Sequence, residues 1–321
     1  MSKIRLGILG AADIAFQRFV PAALRSDHVE IVCVAGAHNA ARRERFRESF
    51  GLDVTDDYDA ILHREDIDAV YLPLPPALHH PWAKKALLTG KHVLVEKPSA
   101  PTITESLELV DLAQEKKLAL HENYMFCYHS QLDAIQKIVT DGRIGEIRQI
   151  RAAFGFPRRA ADDFRYDKAL GGGALLDAGG YPLRLAALLL GDTVRVEAAS
   201  LGYLPEFDVD IYGSALLVND AGIPCQIGFG MDNAYQCLLE IWGSHGMLST
   251  DRIFTAPETF TPTVKITDNS GTEEIRLSAD AHFLNSLEAF VQEIESEKAR
   301  DKMYRAIRTQ ARLLNEVRKK T

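Results

Sequence analysis

The sequence predicts an α/β protein: a doubly wound parallel sheet at the N-terminus, then an α+β domain with an open, mostly antiparallel sheet. Three observations lead there. Short apolar runs alternate with helical patterns through residue 122, the rhythm of crossovers between parallel strands. A glycine turn, Gly7-Ile8-Leu9-Gly10, closes the first run. From Val194 to Leu277, long alternating runs are broken by turn residues, as in a series of hairpins.

Ile4 to Leu9, Val29 to Ala35, Ala69 to Leu74 and Val93 to Glu96 read as strands, and Ala119 to His121 opens another. Between them Ile14 to Arg25, Ala40 to Phe50, Trp82 to Thr89 and Thr104 to Lys117 carry helical patterns. Past Asn123 the order changes. Leu132 to Thr140 is a helix ending at a left-handed Gly142, Ile147 to Phe156 is a strand, and a polar loop leads to Gly171-Gly172-Gly173. Turns are expected at Asn219-Asp220, Gly243 to Gly246 and Asn269-Ser270-Gly271, with closing helices at Phe283 to Lys298 and Tyr304 to Arg318. The expected domains are 1–122, for a dinucleotide, and 123–321, for substrate and oligomerisation.

A chain of 321 residues, 46% hydrophobic and 26% charged, suits a globular protein with a sizeable core. A net charge of −8, with no basic block beyond Arg318-Lys319-Lys320, argues against a nucleic-acid partner. Cys33, Cys127, Cys225 and Cys237 form no CxxC pair, so reduced thiols are expected. No apolar run reaches the roughly 20 residues of a membrane span. No signal peptide precedes the first strand, so a cytoplasmic location is expected.

In Gly10-Ala11-Ala12-Asp13-Ile14-Ala15, Gly10 makes a tight turn, Ala12 holds the second glycine position of a dinucleotide fingerprint, and Ala15 packs helix on strand. N–H groups of the following helix would face a pyrophosphate. The same turn also suits a ligand-free junction; the flanking strand and helix favour the Rossmann reading. The second strand ends without an acid, at Gly36-Ala37-His38-Asn39, and Arg42 and Arg43 follow. That favours NADP(H) over NAD(H), with His38 and Arg42 as candidate contacts, although arginines there also suit a solvated helix face. Pro73-Leu74-Pro75-Pro76-Ala77-Leu78-His79 follows a strand at the sheet's carboxyl edge, where ligands of such folds bind. His79 and His80 lack companions at metal-ligand spacing, so no metal is expected. Glu96-Lys97-Pro98 ends the next strand and aims an ammonium at the same edge, although a strand-end lysine by itself also suits a plain surface residue. Asp177 and Tyr181 stand four apart, on one face of a helix that Pro182 complicates. The alternative makes Asp177 a first-turn acid and Tyr181 a core aromatic.

Together with Glu122-Asn123-Tyr124-Met125-Phe126, these segments resemble the glucose–fructose oxidoreductase, inositol dehydrogenase and MocA (Gfo/Idh/MocA) family over nearly the whole chain. The resemblance places Lys97 beside the reacting carbon and makes Tyr181 the proton-transfer residue of an Asp-x-Gly-x-His/Tyr motif. It implies a cofactor held by Gly10, Ala11, Ala12, Asp13 and Ile14, by Leu74, Pro75 and His79, and by Glu96, Lys97, Asn123 and Arg165. Tyrosine in place of histidine counts against cyclitol oxidation. Ala11 to Ala15, Tyr124 to His129 and Phe164-Arg165-Tyr166 are most similar to the nucleotide-sugar 3-ketoreductases. The expected reaction is NADPH-dependent reduction of C3 of a dTDP-linked keto-deoxysugar, with Tyr181 as general acid, Lys97 assisting, Asp177 orienting the pair and Arg165 holding cofactor or substrate. Gly36-Ala37 stands where such reductases often carry a Ser-Arg pair, which leaves the part of Arg42 open. The alternatives are a sugar or trans-dihydrodiol dehydrogenase and a non-catalytic dinucleotide sensor. A homodimer or homotetramer through the open sheet is expected.

Overall fold

The computed structural model describes residues 3–36 and 40–321; Ala37 and His38 therefore lie outside the described residues. The chain forms two compact units, Met1–Asn123 with Phe283–Arg308, and Tyr124–His282 with Thr309–Thr321. The final helices are thus divided between units, where the sequence reading placed all of 123–321 together.

In the first unit, six parallel strands stand in the order β3-β2-β1-β4-β5-β6. They are β1 (Ile4–Leu9), β2 (Val29–Ala35), β3 (Asp53–Thr55), β4 (Ala69–Leu72), β5 (His92–Glu96) and β6 (Leu120–Asn123). β4 is buried at every position, as a strand covered on both faces must be. Sequence reasoning missed β3 and the short helix Tyr58–Leu62, both too brief for a periodic signal. It also started one helix late. Pro76 opens helix Pro76–Leu88, where a proline's missing N–H is no loss, so the expected proline loop is largely a helical first turn. Helix His282–Glu295 lays Leu287, Phe290 and Val291 into the core formed by Leu6, Ile8 and Tyr71. It ends at Glu295, earlier than expected, where the Arg300 guanidinium donates 3.0 Å bonds to the Glu293 and Ile294 carbonyls.

The second unit holds an eight-stranded sheet, ordered β14-β13-β12-β11-β7-β10-β9-β8. Its strands are β7 (Ile147–Gly155), β8 (Arg195–Tyr203), β9 (Asp210–Val218), β10 (Pro224–Gly230), β11 (Gln236–Gly243), β12 (Gly246–Asp251), β13 (Thr263–Asp268) and β14 (Gly271–Arg276). All three expected turns join neighbouring antiparallel strands. The β10–β7 pair is parallel. One face packs Ile150, Phe154, Ile227 and Phe229 inward; the other leaves Tyr212, Leu216 and Trp242 at 48%, 38% and 61% exposure. On that open face Ala153, Ala198, Ser200, Ser214 and Gly228 line a hollow of about 760 Å³.

The helical run Lys168–Leu190 is long and apolar enough to cross a membrane, contrary to expectation, yet 78% of its most apolar 18-residue stretch is buried within the protein. Its apolar residues serve the inner face of the sheet.

Candidate functional site

In the first unit, Gly10 has φ +131°, a conformation open to glycine, and its N–H donates to Ala35 O at 2.8 Å. An added Cβ would lie 3.0 Å from the Leu74 side chain. The chain then enters a helix whose middle, Ala15–Phe19, is a π-helical turn running into Val20–Ala23. The first-turn N–H groups around Asp13 and Ile14 have no helical acceptor, and both residues are exposed, so this end can receive a phosphate. Asp13 itself faces Arg42 at 3.5 Å and Arg45 at 3.3 Å, which offsets its charge. Arg42 is therefore engaged, and Arg43 donates to the Gly36 carbonyl.

The strand-end lysine follows β5, two strands from β1 in the sheet. Glu96 is raised above the ordinary carboxyl range by burial, opposed by hydrogen bonds from Tyr71 and Asn123 and by the Lys97 charge. Those bonds, from the Tyr71 hydroxyl and Asn123 Nδ2, are both 2.7 Å to Oε1. Tyr71 stacks on Phe19 of the π-helical turn at 3.8 Å, which couples the helix after Gly10 to Glu96. The Lys97–Pro98 bond is cis. His79 is fully buried, with Nδ1 2.6 Å from Pro98 O and Nε2 2.7 Å from Leu74 O. Burial outweighs these carbonyls and brings its pKa down to about 4. At neutral pH one ring N–H pins one of the two turns and the ring abuts the other. His79 and Asn123 are both buried, so any hold they have on a cofactor acts through Leu74, Pro98 and Glu96. His80 pairs with Glu108 at 2.7 Å.

In the second unit, the polar loop and glycine run build the seat for Asp177. Gly173 N donates to Arg165 O at 2.9 Å, and a Cβ on Gly172 would lie 2.4 Å from that same oxygen. Gly173, at φ +117°, leaves room for Asp210, whose Oδ2 accepts from Leu175 N at 2.6 Å and caps the helical run. Asp177 sits in a second π-helical turn, Leu175–Gly179, and Tyr181 follows in helix Gly180–Leu190. The wider turn accommodates Pro182 one turn later without breaking the run. Asp177 Oδ2 accepts from Arg165 Nε at 2.7 Å, and Asp163 accepts from Arg165 Nη1 at 3.1 Å. Arg165, its pKa raised by these carboxylates despite burial, is committed to them.

Tyr181 is 7% exposed and stands among rings. Phe154, Tyr124, Phe126 and Phe254 lie at centroid distances of 4.9, 5.4, 5.8 and 5.8 Å. Gln310 Nε2 donates to the Tyr124 hydroxyl at 3.0 Å and to Gly180 O at 2.9 Å. Neither this cage nor Gln310 was found from sequence. The rings come from segments far apart in the chain, and only Tyr124 and Phe126 belong to a recognised motif.

Each unit matches a family profile. Residues 4–124 match the Gfo/Idh/MocA oxidoreductase family with its NAD-binding Rossmann fold, and residues 132–249 match the Gfo/Idh/MocA C-terminal domain. A dTDP-3,4-didehydro-2,6-dideoxy-alpha-D-glucose 3-reductase from Streptomyces violaceoruber is 44% identical over 292 residues, 91% of this chain and 85% of the relative. A reductase of the same name from Streptomyces antibioticus is 41% identical over 90% of this chain and 88% of its own. A 3-ketoreductase from Actinomadura kijaniata, crystallised with NADP and TDP-benzene, superposes with a TM-score of 0.96 at 39% identity, covering 99% of this chain and 98% of that one.

Proposed function

This chain belongs to the Gfo/Idh/MocA family of NAD(P)-dependent oxidoreductases, and from that premise we propose that it reduces the C3 keto group of a dTDP-linked keto-deoxysugar with NADPH. The observation that carries this reading is a shared interval. The Actinomadura 3-ketoreductase was also crystallised as a Tyr→Phe variant and a Lys→Ala variant, and its varied tyrosine and lysine stand the same number of residues apart as Tyr181 and Lys97.

Gly10 and the exposed N–H groups of the following helix would hold the pyrophosphate, a cradle that a Cβ on Gly10 would narrow. The nicotinamide supplies the hydride when the cofactor is bound. Tyr181 donates a proton to the alkoxide that develops on the sugar oxygen. An ordinary phenol has a pKa of about 10, poorly matched to neutral pH. A cationic ammonium favours the ionised phenol and eases the transfer, which is the part assigned to Lys97. Asp177, gripped by Arg165, fixes the turn that precedes Tyr181.

The test is a panel of substrates: dTDP-linked 3-keto sugars with NADPH, and free pentoses or trans-dihydrodiols with NADP⁺. The reading expects NADPH consumption with the nucleotide sugars. Turnover confined to pentoses or dihydrodiols would replace it with a dehydrogenase, and no turnover with any of them would leave a dinucleotide sensor. The open sheet face, with its hollow of small residues flanked by Tyr212 and Leu216, suits a second copy of the chain. A self-associating protein is expected in sedimentation, reduced to monomer by Ser214→Arg.

A further inference from the structure

Acidic residues outnumber Lys and Arg in the chain, 45 to 37, so arginines have no shortage of carboxylates to meet. In the second unit Arg143, Arg151, Arg158, Arg165 and Arg195 each pair with one. Among the described residues, Arg159 and Arg252 pair with none. Each lies over an aromatic ring instead. The Arg159 guanidinium is 5.1 Å from the centroid of Phe156, and that of Arg252 is 4.6 Å from the centroid of Tyr235. A ring face steadies a guanidinium without occupying its N–H donors, which stay open to an anion.

The strand register brings the two pairs to one end of the sheet. Gly155 of β7 pairs with Gln236 of β11, so Phe156 and Tyr235 stand one step beyond, on neighbouring strands. Leu238 of β11 pairs with Asp251 of β12, and Arg252 follows at once. The same end carries the seat of Tyr181. The Phe154 ring lies 4.9 Å from Tyr181 and 5.9 Å from Phe156, and Phe254, two residues after Arg252, lies 5.8 Å from Tyr181. Arg252 also holds a backbone conformation that suits glycine, with φ +56°. The other such side chain among the described residues, Lys117, caps the end of a helix, where that conformation is ordinary. Arg252 caps no helix, and residues held this way gather at ligand sites.

We propose that Arg252 and Arg159 form the diphosphate subsite of the reductase, and so set its preference for nucleotide-linked over free sugars. The subsite rests on the reading of the substrate given above. The diphosphate hangs from C1 of the sugar, two carbons from the C3 that Tyr181 serves, so its seat belongs a sugar's length from the Tyr181 ring. Ring contacts lead from Tyr181 through Phe154 and Phe156 to Arg159, and Phe254 ties Tyr181 to the segment that carries Arg252. A planar fork of donors matches phosphate oxygens in pairs, and two forks offset both charges of a sugar-linked diphosphate. Free pentoses and dihydrodiols bring no anion to either arginine.

The test is calorimetric titration of thymidine diphosphate and of thymidine into the full-length protein saturated with NADP⁺. Wild type is compared with Arg252→Gly, Arg159→Gln and Arg158→Gln. Glycine suits the backbone at 252, so the melting temperature of Arg252→Gly should hold or rise, and its loss of binding is not a loss of fold. Thymidine diphosphate is expected to bind roughly tenfold more weakly in Arg252→Gly and in Arg159→Gln, with thymidine unmoved. Arg158 is already met by Glu206 and Asp232, so Arg158→Gln should stay within about twofold of the wild type. On the dTDP-keto-sugar, KM should rise roughly tenfold in the first two variants while kcat holds within about twofold, as binding shared by ground and transition states requires. An unchanged thymidine diphosphate affinity in either folded variant overturns the subsite. So does a wild type that binds thymidine as tightly as its diphosphate. If both arginines hold thymidine diphosphate but the wild type reduces no nucleotide sugar, the substrate reading fails and the subsite stands.

Discussion

Lys97 and Tyr181 are held by opposite means. Around Lys97 the chain uses polar groups: Glu96, Tyr71, Asn123 and the buried His79, joined by hydrogen bonds. Around Tyr181 it uses rings, four of them within 5.8 Å, and a glycine with no room for a side chain. A polar seat loses its hold when one donor goes or a proton arrives. An aromatic seat tolerates pH and fails on volume. Both seats share one device, a π-helical turn leading to a proline: Ala15–Phe19 before Pro21, and Leu175–Gly179 before Pro182.

The largest effect is expected from the two residues to which the proposal assigns the chemistry. Tyr181→Phe keeps the ring and its cage but removes the hydroxyl, so kcat should fall about 10²- to 10⁴-fold. Lys97→Met should behave likewise, and NADPH fluorescence titration should show cofactor binding nearly intact in both. A Tyr181→Phe enzyme with unchanged turnover would reduce that residue to a core aromatic. Next comes volume. In Gly180→Ala the new Cβ lies 2.2 Å from the Tyr124 hydroxyl, which Gln310 also holds, so chemical denaturation should register a loss of roughly 1–3 kcal/mol. Activity should fall with it.

The polar seat should answer to pH. His79 has its pKa brought down by burial to about 4 from 6.5, so the folded form resists a proton that the unfolded chain accepts. Its stabilising contribution is fully present above pH 6.5 and is lost as pH falls through the window to about 4. The loss amounts to roughly 3 kcal/mol. His92 acts in the same direction, also through burial. Melting temperature should therefore drop steeply on acidification, and His79→Gln should flatten that slope whatever it does to the plateau. An equal slope in the variant would remove His79 from the account of acid lability. The smallest effect belongs to the exposed ion pairs of Asp13 at the start of the helix after Gly10. Asp13→Asn should change stability by less than about 1 kcal/mol, because Asp13, Arg42 and Arg45 are about half exposed and solvent screens them.

Much of the fold was legible in the chain because its signals are local. β1 and β2 fall on the expected residues, and the three expected turns of the second sheet, which carry Gly or Asn, join the strands they were expected to join. The short edge strand Asp53–Thr55 was invisible because three half-exposed residues carry no period. Helix Pro76–Leu88 was misjudged because Pro73, Pro75 and Pro76 read as a stiff loop, although Pro76 sits where its missing N–H costs nothing. Lys97 was noticed at a strand tip and Asp177 and Tyr181 four apart, and it was the resemblance to the Gfo/Idh/MocA family that gave them roles. Gln310 and Phe254 were not noticed, since their roles come from partners brought together by folding. Asp177 shows the middle case: sequence placed it on one helix with Tyr181, and only the structure supplies its partner, Arg165.

The most direct test of the reductase reading follows the hydride. The wild-type protein is given NADPH deuterated at C4 of the nicotinamide and a dTDP-linked 3-keto-deoxysugar, and the product is analysed by mass spectrometry and NMR. One deuterium bonded to C3 of the sugar is the expected result. Deuterium at another ring carbon, or a sugar recovered without it while free pentoses are oxidised, would contradict it.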